Sequence, residues 1–271
     1  MLPADTLAQA DPDENHRHND PTVFSATGLL GCYRQAVLKQ DHPYYVDVEG
    51  MWPAMQGTAI HAGHAAKQAP YPGALQTYRE LELSVWVDTK YGRQKFVSQP
   101  DLIVVQSVED ARSIASDMYT SIYHLKIVDY KNTGEVKHDL TAARKDHVRQ
   151  INMYAWLARR VMPQLLIGDV VVDELEINYG DLRKPRRFTS AGPLVTRGKL
   201  ISRSPRVYEE LYLEPVTIFP DEVVDAWITS AIERKIESRE KLAPVLPEDE
   251  QWRCFYCPLK EVCDELAMEG L

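Results

Sequence analysis

The strongest constraint on how this chain can fold is where its cysteines stand. Three of the four fall in one short run near the end, Cys254-x2-Cys257-x5-Cys263, and the fourth, Cys32, lies far upstream. Thiolates are the ligands of structural zinc and of iron–sulfur clusters. A closed site needs four of them, and the chain has four. A site that used Cys32 would tie the first helix to the tail, and the free energy of binding would become free energy of folding. Four cysteines in 271 residues are too few for a disulfide-stapled scaffold. No segment approaches the roughly 20 apolar residues of a membrane helix. The opening MLPADTLAQADPDENHRHND has no apolar stretch of the signal-peptide kind. A cytoplasmic location is therefore expected, where clustered cysteines point to a metal.

The net charge of -9 argues, taken alone, against broad binding to nucleic acid. Its distribution says otherwise. Residues 1–20 carry -4 and read as a disordered leader, residues 209–271 carry -10, and residues 182–208 carry +8 with no acid among them. That basic stretch holds Arg183, Lys184, Arg186 and Arg187 and is rich in Gly, Pro, Ser and Thr. It reads as a loop or loose hairpin, either merely solvated or a phosphate-contacting arm.

Periodicity predicts a helix from Thr22 or Ser25 to about Lys39, with Cys32 on it, and a second over about 54–68 carrying His61 and His64. Leu81, Leu83, Val85 and Val87 alternate with polar residues as a half-buried strand. Residues 93–106 and 121–131 read as two more strands separated by a 107–120 loop. The run Leu102-Ile103-Val104-Val105 suggests burial on both faces. A helix follows over about 139–161, with His147, Gln150, Ile151, Tyr154 and Ala158 on one stripe. A strand over about 170–179, a further one near 207–213 and a helix over 221–241 complete an α/β layout with a mixed sheet.

Four constellations carry chemistry. Pro100-Asp101 lies at one strand and Asp129-Tyr130-Lys131 at the end of the next. Two carboxylates on neighbouring strands can converge on one hard cation, Mg2+ or Mn2+. Lys131 shares the face of Asp129, so its ammonium lies beside such an ion, where it can position a water and stabilise developing negative charge. The second is Gly57-Thr58-Ala59-Ile60-His61 on the upstream helix, with His64 one turn on. The third is Gln150 and Tyr154, spaced i to i+4 on one helix face. The fourth is the cysteine set.

In this order, the GxxxH helix, PD, DYK and Q-x3-Y resemble the RecB-like branch of the PD-(D/E)xK nuclease family. The cysteine pattern resembles its iron–sulfur members, among them the AddB-type nuclease domain and the exonucleases found with CRISPR adaptation modules. The resemblance spans about residues 22–266. It implies a restriction-endonuclease-like core, a central mixed β-sheet flanked by helices, with a Cys-ligated C-terminal cluster region, all in one domain over 21–271. It also implies that His61, Asp101, Asp129 and the Tyr130 carbonyl bind the catalytic metal and that Lys131 is the catalytic lysine. Gln150 and Tyr154 would support the site and the DNA strand. Cys32, Cys254, Cys257 and Cys263 would hold a [4Fe-4S] cluster. Asp129 stands where the CRISPR-linked members often carry Glu. No GxxxxGK[ST] is present, so a helicase would be a separate protein.

The function this implies is a metal-dependent DNA exonuclease acting on single strands or ends, in repair, phage replication or CRISPR adaptation. The alternative is a non-catalytic or weakly catalytic DNA-binding subunit of a larger helicase–nuclease or adaptation complex. A third reading is a zinc-stapled DNA-binding module.

Overall fold

The computed structural model describes residues 22–42, 71–112, 119–131, 142–179, 186–192, 194–199, 208–243, 254, 257 and 259–268. The leader expected over 1–20, the helix expected over 54–68 with His61 and His64, and Arg183 and Lys184 lie outside these residues.

Five strands form the central sheet in the order β2 (Gln76–Arg79), β5 (Leu102–Arg112), β6 (Tyr119–Lys131), β7 (Asp169–Tyr179), β8 (Arg186–Thr189). All neighbours are antiparallel except β6 and β7, which run parallel. A parallel pair needs a crossover, and here it is α3, Lys145–Leu166. Leu102 to Val105 are all at most 2% exposed. Ile103 and Val105 face the main core, and Leu102 and Val104 face a smaller cluster with Val128. Burial on both faces is thus observed, as the apolar run predicted.

The main core lies between this sheet and α3, whose Ile151, Ala155, Leu157 and Ala158 are fully buried. Trp156 meets Phe96 edge to face, with centroids 6.0 Å apart. Phe96 belongs to a second sheet, β1 (Val23–Ser25), β4 (Gly92–Ser98) and β3 (Leu83–Thr89), in which β1 is parallel to β4 and β3 antiparallel to it. Helix α4 (Asp221–Glu240) packs Val224, Ile228, Ala231 and Ile232 inward. Its first residue, Asp221, binds Arg159 Nε at 2.7 Å and Arg160 Nη1 at 2.9 Å. A β9–β10 hairpin (Leu194–Lys199 with Tyr208–Leu213) stands apart from both sheets. This mixed sheet flanked by helices fits the restriction-endonuclease-like core expected. Among the described residues, no helix is long and apolar enough to cross a membrane.

Five expectations are corrected. The first helix is two: α1 (Ala26–Leu29) and α2 (Tyr33–Asp41). Ser25 caps α1 by accepting Gly28 N–H. Cys32 caps α2 with extended backbone, its Sγ accepting Gln35 N–H at 3.4 Å, so it sits ahead of a helix rather than on one. Residues 93–106 are also two elements, because Pro100 lacks an N–H and cannot continue the ladder of β4. The loop expected over 107–120 is instead largely strand, with Ala111 paired to Thr120 and Arg112 to Tyr119. Helix α3 starts at Lys145 and runs to Leu166, passing through Pro163 in its last turn. Within 182–208, β8 is an edge strand of the main sheet and β9 the first arm of the hairpin. The tail also contains a short helix, α5 (Lys260–Met268).

The face of the sheet opposite α3 carries a buried ion network. Lys126, 5% exposed, pairs with Glu176, 2% exposed, and with Glu174 at 3.0 Å. Burial alone would lower the pKa of Lys126, but the hydrogen bonds and charge of Glu176 and Glu174 outweigh it and push it up to about 12.

Candidate active site

The antiparallel register of β5 and β6 pairs Leu102 with Val128. It therefore brings Asp101, just ahead of β5, to the level of Asp129 near the end of β6. Both carboxylates are buried, at 8% and 1% exposure. Asp101 Oδ2 accepts the backbone N–H of Tyr130, which locks the two strand ends together. Lys131 follows Asp129 on the same face, and its Nζ lies 3.0 Å from Asp129 Oδ2. The sheet thus collects two negative charges and one positive charge in a nearly dry pocket. A buried charge needs a partner. A divalent cation held by these oxygens would compensate the excess, so the donor set fits Mg2+ or Mn2+. His61 lies outside the described residues, and among those described no group of three or more His, Cys, Asp or Glu is disposed to hold one metal ion.

Helix α3 closes the site from above. Lys131 Nζ donates to Gln150 Oε1 at 2.7 Å. Gln150 Nε2 donates to Tyr154 OH at 2.6 Å and to Thr27 Oγ1 at 3.0 Å. Lysine has only donors, so it fixes the carbonyl end of the amide toward itself and the NH2 end toward the hydroxyls. Gln150 and Tyr154 are both buried. Burial holds the Tyr154 phenol well above its ordinary pKa, and the charges of Asp129 and Asp101 add to the rise. It therefore stays protonated at neutral pH. Beyond Lys131, whose register partner is Tyr179, the Tyr179 hydroxyl accepts Arg144 N–H at 3.0 Å and shares a 2.8 Å hydrogen bond with His147 Nδ1. His147, read from sequence as part of a core stripe, thus sits in a polar network.

The thiols form a separate site. Cys32, Cys254, Cys257 and Cys263 line one cavity between α2 and the tail. Burial pushes the Cys32 thiol up against amide hydrogen bonds from Gln35 and Arg34, and Cys257 and Cys263 add to the rise. Burial also raises the Cys254 thiol, with Cys32, Cys257 and Cys263 contributing in that order. Gln35 Nε2 donates to Cys257 Sγ at 3.2 Å and Arg34 Nε to Cys263 Sγ at 3.1 Å. Arg34 is only 2% exposed and also binds the Ala243 carbonyl at 3.1 Å.

Sequence reasoning missed three residues here: Thr27, Arg34 and Gln35. All three lie within eight positions of Cys32, and no pattern in the sequence assigns them partners more than a hundred positions away. In the basic stretch, Arg187 is exposed and its Nη1 lies 3.8 Å from Glu176 Oε2.

A family model, that of the PD-(D/E)XK nuclease superfamily, matches residues 117–264. The chain is also similar in structure to the crystal structure of SSO0001. The TM-score is 0.50 at 14% identity, covering 89% of this chain and 85% of that one, a likeness that bears on the fold alone. No curated protein matches the chain.

Proposed function

Because the chain belongs to the PD-(D/E)XK nuclease superfamily, we propose that it is a metal-dependent DNA exonuclease acting on single strands or DNA ends. The observation that carries this reading is the convergence of Asp101, Asp129, Lys131 and Gln150 at one end of the sheet. Asp101 and Asp129, with the Tyr130 carbonyl and His61, would hold Mg2+ or Mn2+. When bound, the ion supplies Lewis acidity toward a phosphoryl oxygen and a lowered pKa for an attacking water. The chain's own residues do the rest. The burial of Asp129 keeps bulk water from the reacting centre and strengthens the charges around it. Lys131 has three N–H donors. Asp129 and Gln150 engage two of them, which leaves the third for an attacking water or a phosphoryl oxygen.

We further propose that Cys32, Cys254, Cys257 and Cys263, which line one cavity, would hold a [4Fe-4S] cluster. The donor set is four thiols, and two of their sulfurs receive hydrogen bonds from Gln35 and Arg34. Such a cluster would hold α2 against α5. On this reading residues 21–271 form one catalytic domain, with DNA as its partner and any helicase or adaptation protein supplied separately.

The test is cleavage of end-labelled single- and double-stranded DNA with Mg2+ or Mn2+ by purified protein and by Lys131→Ala. Shortening from the ends by the wild type and none by the variant is expected. Equal activity in both would remove Lys131 from the mechanism, and DNA binding without cleavage under either metal would favour the non-catalytic subunit.

A further inference from the structure

We propose that Thr27 is a positioning residue, which fixes the Gln150 amide and through it the ammonium of Lys131. The proposal deepens the nuclease reading above and rests on it for its catalytic consequence.

The chain of contacts is continuous. Lys131 Nζ donates to Gln150 Oε1 at 2.7 Å, and the other end of the same amide donates to Thr27 Oγ1 at 3.0 Å. Thr27 also hydrogen-bonds the Tyr154 hydroxyl. A glutamine side chain has three rotatable bonds. The two hydroxyls at its NH2 end define where its carbonyl points, and so where the lysine is held. Tyr154 lies on the same helix as Gln150 and moves with it. Thr27 belongs to a different element, and so it sets the position of the amide relative to the rest of the fold.

Thr27 is well placed to serve as a fixed post. It is exposed, but its neighbours are not: Phe24 is 1% exposed, Ala26 0% and Leu29 3%. Ala26 N–H donates to the buried Ser98 Oγ at 3.0 Å, which pins α1 to the end of β4. Ser25 caps the same turn by accepting Gly28 N–H at 3.1 Å. An exposed threonine needs none of this anchoring for solubility, and a valine of the same shape would fill the position equally well without offering the hydroxyl.

The experiment compares wild type, Thr27→Val and Thr27→Ser by two readouts. The first is the side-chain amide NMR signal of Gln150, identified by its loss in Gln150→Leu. It should shift in Thr27→Val and return in Thr27→Ser, whether or not the protein cuts DNA. An unmoved signal overturns the positioning role. The second is single-turnover cleavage of end-labelled DNA with Mn2+. The rate should fall on the order of tenfold in Thr27→Val, the worth of one hydrogen bond, with KM for DNA unchanged and with recovery in Thr27→Ser. Thr27→Val should cost nothing further in a Gln150→Leu background. A full-rate Thr27→Val, or losses that multiply in the double variant, overturns the route through Gln150. A wild type that does not cleave overturns the nuclease reading, and the Gln150 signal still decides whether Thr27 holds the amide.

Discussion

The ammonium of Lys131 stands 3.0 Å from Oδ2 of Asp129, two residues earlier on the same strand, and Asp129 is 1% exposed. Removing one member of a buried pair leaves the other charge stranded, which costs about 3 kcal/mol or more. Lys131→Met should therefore destabilise the metal-free protein by that order as well as abolish cleavage. If the carboxylates hold a divalent cation, saturating Mn2+ should recover part of the loss, because the ion replaces the missing charge. Urea melts with and without Mn2+ check this. A variant as stable as wild type in metal-free buffer would show that the pair carries no such burden.

Lys126 makes a prediction in pH. Its folded pKa is about 12, above the ordinary 10.5, because Glu176 and Glu174 favour the ammonium. A raised pKa means the stabilisation is fully present below pH 10.5 and is lost as pH climbs through about 12. The drop across that window is roughly 2 kcal/mol. Lys126→Met should be less stable than wild type at pH 9, and the gap between them should narrow toward pH 12. Denaturant midpoints across that range measure it, and a gap independent of pH would mean the ammonium is not held by the two carboxylates.

Adjacent residues at the end of α3 should respond with opposite sign. Ile167 has φ 56 and is 82% exposed, a β-branched residue in the left-handed region with no burial in return. Ile167→Gly should raise stability by about 1 kcal/mol. A Cβ on Gly168 would meet the Ser121 carbonyl at 2.4 Å and the Tyr123 ring at 2.8 Å. The carbonyl belongs to a paired strand, so Gly168→Ala should cost about 2 kcal/mol. Thermal melts of the two variants give both signs at once.

These cases show what the sequence made legible. Asp129 and Lys131 could be placed on one face because a strand has period 2, and Asp101 because it lies on the neighbouring strand. Gln150 and Tyr154 could be paired because a helix brings i and i+4 together. Both are local rules. Thr27 could not be found this way, since its partner is 123 positions distant. Nothing local in the sequence marks Lys126 and Glu176 as buried, because burial on the far face of a sheet is decided by tertiary packing. The break at Leu30–Cys32 was hidden for a different reason. Cysteine is an uncommon cap, and in sequence its thiol signals a metal ligand.

The thiol cavity is tested by composition. A [4Fe-4S] cluster predicts brown protein with about four iron and four sulfide per chain after anaerobic purification, whereas zinc would leave it colourless. Gln35→Leu removes the 3.2 Å bond to Cys257 Sγ without touching a ligand. It should leave the iron content unchanged and make the cluster harder to reduce, since a hydrogen bond to sulfur stabilises the more negative, reduced state. A midpoint potential equal to wild type would mean the amide does not reach the bound sulfur.

The basic stretch yields a prediction that separates its arginines. Arg187 already lies near a buried carboxylate, 3.8 Å from Glu176 Oε2, on an edge strand of the main sheet. Part of its charge is committed inside the fold, and it has less to offer a phosphate. Each phosphate contact adds about 0.7 to 0.9 to the slope of log K against log salt. Arg183→Ala, Lys184→Ala and Arg186→Ala combined should flatten that slope by about two or more on this account, and Arg187→Ala alone by well under one. Fluorescence anisotropy of labelled DNA across a salt series, with a cleavage-dead Lys131→Ala chain as the parent, reads both. An unchanged slope in the triple variant would make the stretch a solvated surface, and a larger effect from Arg187 would mean its pairing with Glu176 yields to DNA.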